Sequence, residues 1–435
     1  MIPEIEKATS AEIRIFQESK LKTLLIYLNT HSAYYKRLFK KHAISIDAIK
    51  TLEDLTKIPT TSKEDLQEHN NEFLCVSREK IIDYVTTSGT LGEPVTFALT
   101  DNDLDRLAHN EAISFACAGM QQNDVLQVMV TLDRRFMAGL AYFLGARKLG
   151  AGIIRVGNGV PELQWDSILK FKPTYLIAVP SFLLKLIEYA KSHDIDFNNS
   201  GIKGAICIGE PIRNQDFSPN ILAEKIKSQW DIQLYSTYAS TEMNTAFTEC
   251  ESQKGGHQHP ELIITEILDD NDHPVATGEV GELTITTLGV EAMPLLRFKT
   301  GDMLKSYADP CDCGRNTTRL GPVLGRKKQM IKYKGTTLYP PAMNNLLNDF
   351  DEIKSYVIEI YHNAIGTDEI LIKIATQNPN DVLLQSIKDH FRAKLRVLPE
   401  IEFLDGKAIQ KLQFPKLSRK PIMIIDKRKT TNASF

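Results

Sequence analysis

The sequence predicts an α/β fold: a large N-terminal domain built on mixed and parallel sheets, followed by a small α+β domain. Three observations predict it. From about residue 120, short apolar, β-branched runs alternate with helical patterns, which implies crossover units and a largely parallel sheet. Residues 262–268 and 281–287 alternate more like antiparallel or barrel-like strands. The charge balance also changes sign along the chain. There are 33 basic and 43 acidic side chains before Arg326 and 19 and 12 from it onward, within a net charge of -3.

The elements follow in order. Residues 11–29 read as a helix, with Ile13, Phe16, Leu24 and Leu28 near helical spacing. Residues 125–130, 175–179 and 204–208 read as buried strands, because strands covered on both faces appear as continuous apolar runs. Between the last two, Ser181 to His193 reads as a helix, and Ser181 is placed to cap it. Residues 326–435 read as the small domain. Its strand is 368–376 and its amphipathic helix 380–395.

The chain has 435 residues, 42% hydrophobic and 25% charged, enough for a full core without disulfide staples. The near-neutral balance gives no general attraction to nucleic acid or an anionic membrane. No apolar run approaches the length of a membrane span, and residues 1–20 lack the apolar core of a signal peptide. The expectation is a cytoplasmic protein. Six cysteines are too sparse for a disulfide framework, and Cys75, Cys117 and Cys207 read as core residues.

The sharpest local signal is the segment Tyr84 to Pro94, with two glycines and the hydroxyls of Thr87, Ser88 and Thr90. Small residues let backbone N–H groups converge on an anion, so this reads as a phosphate-gripping loop. It lacks the Gly-Lys-Ser/Thr ending of the Walker loop. Gly209, Glu210 and Pro211 follow the strand at 204–208, where loops line the ligand crevice of a parallel sheet. Tyr235 to Glu242 then follows another short strand, and Thr300 to Asp302 comes later.

In order and spacing, these motifs resemble those of the adenylate-forming acyl-CoA ligases: Thr87 to Pro94, Gly209 to Pro211, Tyr238 to Glu242, Arg297 to Asp302 and Leu324 to Gly335. Gly209 to Pro211 and the segment Cys311 to Arg315 are shared with the phenylacetate–CoA ligase branch. The resemblance covers roughly residues 55–425. Leu91, Glu93 and Ala239 depart from its usual threonine, lysine and glycine.

The resemblance implies the following roles. Ser88, Gly89 and Thr90 wrap the ATP phosphates. Gly209, Glu210 and Pro211 border the adenine, and Tyr238 stacks near it. Thr241 touches the α-phosphate, and Glu242 ligates Mg²⁺. Asp302 holds the ribose hydroxyls with help from Arg326. Lys328 is the hinge of a mobile C-terminal lid that carries the catalytic Lys420, with Lys416 and Arg419 as rivals for that role. The boundary falls between residues 325 and 326, and Arg134 to Gly139 are candidates for the acid pocket.

The activity implied is ATP-dependent activation of a small carboxylic acid as acyl-AMP, followed by transfer to coenzyme A. Transfer to a protein thiol or another nucleophile, and a non-catalytic ATP-binding role, stay open. A homodimer also stays open.

Cys250 and His257, with Cys311 and Cys313, form two local pairs of soft and borderline ligands. In an extended segment residues i and i+2 face one side, so both Cys311 and Cys313 can reach one ion. Four such ligands fit a closed, structural Zn²⁺ site. His259 is the rival to His257, and the similar pattern in some members of the branch favours His257.

Overall fold

The computed structural model describes residues 2–87, 94–333, 336–363, 366–414 and 422–428. The chain divides into two units, Met1–Val323 and Leu324–Phe435.

The large unit begins with α1 (Glu4–Lys7), α2 (Ser10–His31) and α3 (Ala33–Lys41). Thr9 and Glu12 close a capping box at the start of α2, each side chain accepting from the other's backbone N–H. The buried face of α2 runs through Gln17, Leu21, Leu24, Leu25 and Leu28, the spacing of one helical stripe. After α4 (Lys63–Glu68), β1 (Ile81–Thr86) and β2 (Thr96–Thr100) pair as an antiparallel hairpin, and α5 (Asp101–Cys117) follows.

A six-stranded sheet forms the centre of this unit. Its elements are β3 (Val125–Val128), α6 (Met137–Leu149), β4 (Gly152–Arg155), α7 (Pro161–Phe171), β5 (Tyr175–Ala178), α8 (Pro180–Ser192), β6 (Gly204–Cys207), α9 (Ile221–Lys227), β7 (Gln233–Ser240) and β8 (Thr245–Thr248). The order is β4-β3-β5-β6-β7-β8, parallel except for β8 at the edge. Tyr175 and Ile177 of β5 pack with Phe115 of α5 and Tyr142 of α6. Leu176 and Ala178 pack with Trp165 of α7 and Leu183 of α8. Burial on both faces is why this strand reads as an unbroken apolar run. From β3 the chain steps outward to β4 and then returns past it to β5. The switch point therefore lies between β3 and β5, and the ligand crevice lies outside the carboxyl ends of the strands.

Two sequence expectations change here. Ser181 is not the cap of α8. The helix starts at Pro180, and the Glu210 carboxylate accepts from Ser181 N at 2.8 Å and from its hydroxyl at 2.9 Å. A proline at the first helical position brings no N–H that needs an acceptor, and an acid from a later loop accepts from the next N–H of the helix start. Tyr235 to Ser240 does not follow a strand but belongs to β7. The first half of β7 pairs with β6 and the second half with β8, so its backbone groups are satisfied whatever its side-chain polarity.

Further along lie β9 (Gly256–His257), β10 (Ile263–Leu268), β11 (Gly281–Thr287), β12 (Phe298–Leu304), β13 (Ser306–Tyr307) and β14 (Arg319–Leu320). β10, β11 and β12 run antiparallel, and Ile263, Leu283 and Ile285 close a core with Leu21, Leu25 and Phe97. Buried Arg297 pairs with Glu266 at 3.0 Å and donates to the Ile58 carbonyl at 2.5 Å, which ties this sheet to the N-terminal helices.

The small unit contains β15 (Gly325–Arg326), β16 (Ile331–Tyr333), β17 (Thr336–Leu338), α10 (Pro340–Leu347), β18 (Ile353–His362), β19 (Asp368–Thr376), α11 (Asp381–Leu395), β20 (Glu400–Phe403), α12 (Gly406–Gln413) and β21 (Ile424–Asp426). A sheet of order β20-β19-β18-β21 packs Ile358 and Ile372 against Ile387 and Phe391 of α11. On its other face Val357 and Ala375 meet Ile409 of α12.

Candidate functional site

The loops at the carboxyl ends of β3, β6 and β7 carry several of the motif residues, and β7 and β12 carry Tyr238 and Asp302. After β3, Asp133 to Phe136 makes a turn in which Arg134 and Arg135 both have left-handed backbones, φ 59° and 61°, and Phe136 N donates to the Asp133 carbonyl at 3.2 Å. Residues other than glycine rarely take this conformation. The Arg135 carbonyl accepts from Thr86 N at 3.0 Å, which anchors the turn to the end of β1. At Gly139, a Cβ would lie 2.3 Å from the Thr131 carbonyl oxygen, so only glycine lets α6 start this close to the turn. A cleft of about 590 Å³ opens beside it, lined by Thr131 to Asp133 and Arg155 to Gly159.

After β6, Gly209 turns the chain at φ 76°. Glu210 is held on the start of α8, as described above, and the Pro211 carbonyl accepts from Asn220 at 2.8 Å. Two residues on, Arg213 forks onto Glu249, whose carboxylate also accepts from Ser236 N at 2.8 Å. Both side chains are 2% exposed. Removing one partner of such a pair costs about 3–5 kcal/mol, so this contact fixes the loop after β6 against β7 and β8.

Tyr238 on β7 donates its hydroxyl to Asp302 on β12 at 2.7 Å. Asp302 is buried apart from 8% of its surface, and its N–H donates to the Thr300 hydroxyl at 3.1 Å. Gly301 between them has φ 80°. The fold thus joins two residues 64 positions apart. Thr241 and Glu242 occupy the turn after β7, where the Thr241 carbonyl accepts from Asn244 at 3.1 Å. Glu242 is half-buried and makes no hydrogen bond or ion pair among the described residues. A carboxylate kept partly out of water without a partner suits a hard cation, which prefers charged oxygen.

Ser88, Gly89 and Thr90 lie outside the described residues, as do Lys420 and its rivals Lys416 and Arg419. At the loop's edges, Thr87 is buried, and its hydroxyl accepts from Val95 N at 3.0 Å. In the small unit, Arg326 ends β15 and Lys328 sits in the short turn Lys327–Gln329.

Cys250, His257, Cys311 and Cys313 come together with all their ligand atoms within 4.8 Å of one another. Cys250 Sγ lies 3.5 Å from Cys311 Sγ, and Cys313 Sγ lies 3.5 Å from His257 Nε2. A tetrahedral site with metal–sulfur bonds of about 2.3 Å places its ligands about 3.8 Å apart, so these residues fit one zinc-sized ion. His257 Nδ1 meets the Thr317 hydroxyl at 2.9 Å, which turns Nε2 to the cluster, as an outer partner of a ligating histidine does. Contact with Cys250 holds the Cys313 thiol far below its ordinary range, against burial and with help from His257 and Arg315. Burial lowers His257, so the neutral ring that a metal needs is favoured.

The rival His259 sits elsewhere, between Ser114 and Glu6. Sequence reasoning placed Cys117 in the core and missed that it packs against Cys250 and Cys311. It missed Thr317, Arg315 and Glu6 as well. Arg315 stands two positions after Cys313, which is the one local signal for it. Nothing local points to Glu6.

The model of the family described as AMP-binding enzyme matches residues 9–292. A phenylacetate–coenzyme A ligase of Thermus thermophilus is 30% identical over 87% of this chain and 84% of its own length. The chain belongs to the AMP-binding enzyme family. The phenylacetate–coenzyme A ligase of Escherichia coli is 27% identical over 85% of this chain and 84% of its own. In fold, the chain is similar to a 2-hydroxyisobutyryl-CoA ligase solved with its acyl-AMP in a postadenylation state. The TM-score is 0.83 and the identity 23%, over 98% of this chain and 92% of that one. Among the described residues no helix is long and apolar enough to cross a membrane.

Proposed function

We propose that this enzyme is an ATP-dependent carboxylate–CoA ligase of the phenylacetate–CoA ligase type. In the first half-reaction a carboxylate oxygen attacks the α-phosphorus of ATP, the bond to the β-phosphate oxygen breaks, and pyrophosphate leaves. In the second, the thiol sulfur of coenzyme A attacks the acyl carbonyl and loses its proton, and AMP departs with the bridging oxygen. The observation that carries this reading is the pairing of Tyr238 with Asp302 beside the turn that holds Glu242, which has no partner among the described residues, in a chain whose relatives are such ligases.

Each residue then has a role. Asp302 accepts from the ribose hydroxyls, and Tyr238 fixes the orientation of its carboxylate. Gly209 to Pro211 border the adenine, and Ser88 to Thr90 hold the phosphates. Glu242 holds the Mg²⁺ that neutralises phosphate charge, and Thr241 contacts the α-phosphate. The unit from Leu324 onward acts as the lid, with Arg326 at the ribose and Lys328 as pivot, and Lys420 serves adenylation. Cys250, His257, Cys311 and Cys313 hold a structural zinc that joins the strand after β8 to the loop after β13.

Pyrophosphate release, measured across a panel of carboxylic acids with and without coenzyme A, tests the reading. Acid-dependent release, with a thioester formed only when coenzyme A is present, is expected. Absence of release with every acid overturns it.

A further inference from the structure

Helix α1 is four residues long, and its only buried residue is Glu6, at 0% exposure. A helix this short has no stability of its own, and burying a lone carboxylate is costly. Something must therefore draw this acid inward. Its Oε2 accepts from Arg315 Nε at 2.7 Å, and its Oε1 meets His259 Nδ1. Arg315 is 3% exposed, and its Nη1 donates to Cys313 Sγ at 3.6 Å. The backbone adds to the connection. Asn316 N donates to the Glu6 carbonyl at 2.7 Å, and the Asn316 side chain donates to the Lys7 carbonyl at 2.9 Å. The N-terminal segment thus rests on the loop that carries two of the four metal ligands.

Charge explains the order of the groups. A dipositive ion with three thiolates and a neutral imidazole carries a net single negative charge. A guanidinium against one thiolate offsets it, and a carboxylate then offsets and orients the guanidinium. We infer that Glu6 is an outer-shell residue of the metal centre: through Arg315 it steadies the Cys313 thiolate and slows metal release, and metal binding in turn anchors residues 2–9 to the large unit. This rests on the reading of the cluster as a zinc site. Outer partners of metal ligands change affinity by roughly 10–100-fold when replaced.

The test uses the full-length, zinc-loaded protein. Transfer of zinc to a colorimetric chelator is timed for the unaltered protein, for Glu6→Gln and for Glu4→Gln, an exposed neighbour. Glu6→Gln is expected to release zinc roughly 10–100-fold faster, and Glu4→Gln at the unaltered rate. Amide exchange in peptides covering residues 2–9 is expected to rise when zinc is removed from the unaltered protein. Should Glu6→Gln fail to fold, Asn316→Ala removes the side-chain bonds to the Lys7 and Ala8 carbonyls and leaves the Glu6 carboxylate in place. It is expected to raise exchange in residues 2–9 while zinc stays bound. Unaltered release from Glu6→Gln, or unchanged exchange after zinc removal, overturns the inference and leaves the zinc site standing. Native protein that contains and binds no zinc overturns both.

Discussion

The cysteine–histidine cluster and the proposed nucleotide site sit on neighbouring stretches of chain and are finished to different degrees. In the cluster every ligand faces its fellows, His257 is turned by Thr317, and Cys313 is steadied by Arg315. In the nucleotide site Tyr238 and Asp302 are joined, but Glu242 stands without a partner among the described residues. The four cysteine and histidine side chains meet one another, while Arg315 beside them keeps its buried Nη2 without a hydrogen-bond partner among the described residues. A catalytic centre leaves a group unsatisfied for its substrate. The contrast separates two roles for acids in one fold, as partners that hold the chain and as groups held ready.

If the contrast is right, the largest losses come from the unfinished site. Glu242→Gln removes the charge a hard cation needs and is expected to lower acid-dependent pyrophosphate exchange by about 100–1,000-fold or more, with an unchanged melting temperature. Exchange at the unaltered rate would take the metal role from Glu242. Lys420→Ala is expected to lower adenylation by a comparable factor, since one preorganised electrostatic contact is worth about 3–4 kcal/mol. Given preformed acyl-adenylate and coenzyme A, it should still form thioester near the unaltered rate. Equal loss in both half-reactions would make Lys420 structural.

Changes to finished regions should read out as stability. Cys311→Ser is expected to lose zinc and to lower the melting temperature by about 5–10 °C, as a few kcal/mol does in a large domain, with little change in turnover at saturating substrate. Metal content and a thermal melt check it.

Glu111 supplies a third kind of acid, buried in α5, where it accepts a hydrogen bond from Asn110. Burial pushes its carboxyl up to about 8, against the Asn110 contact. The folded state therefore keeps a proton that the unfolded state releases above about pH 4.5, and stability falls as pH rises through about 8. Glu111→Gln is expected to match the unaltered protein at pH 4 and to exceed it by a few kcal/mol at pH 8. Denaturant unfolding at the two values would refute this by showing equal differences. The smallest effect belongs to Tyr238→Phe. Loss of one hydrogen bond to a charged group is worth about 1.5–3 kcal/mol, and it should appear in KM for ATP more than in kcat.

How much of this was legible in the sequence follows from distance along the chain. The strands at 125, 175 and 204 were legible because both their faces are buried. Cys311 and Cys313 were legible as a pair because their spacing is local, but a turn closed by Gly314 N on the Cys311 carbonyl at 3.0 Å, not the expected extended segment, brings them together. The cap of α8 was not, since Glu210 reaches Ser181 across 29 positions. Tyr235 to Ser240 was misread as following a strand because its polar side chains hide a backbone that pairs first with β6 and then with β8. Glu6 lies 309 positions from Arg315, and only the fold brings an acid of the first helix to the loop of Cys311 and Cys313. The bond between Tyr238 and Asp302 was invisible for the same reason, although each residue was marked by its motif.

In this chemistry a carboxylate becomes an adenylate before it meets the thiol. Mass spectrometry of the enzyme incubated with ATP, Mg²⁺ and an accepted acid, without coenzyme A, separates this order from a direct route. An acyl-AMP together with free pyrophosphate is expected, with quantitative conversion of that acyl-AMP to thioester and AMP when coenzyme A is added. Thioester formation accompanied by ADP and inorganic phosphate, with no acyl-AMP at any stage, would contradict it.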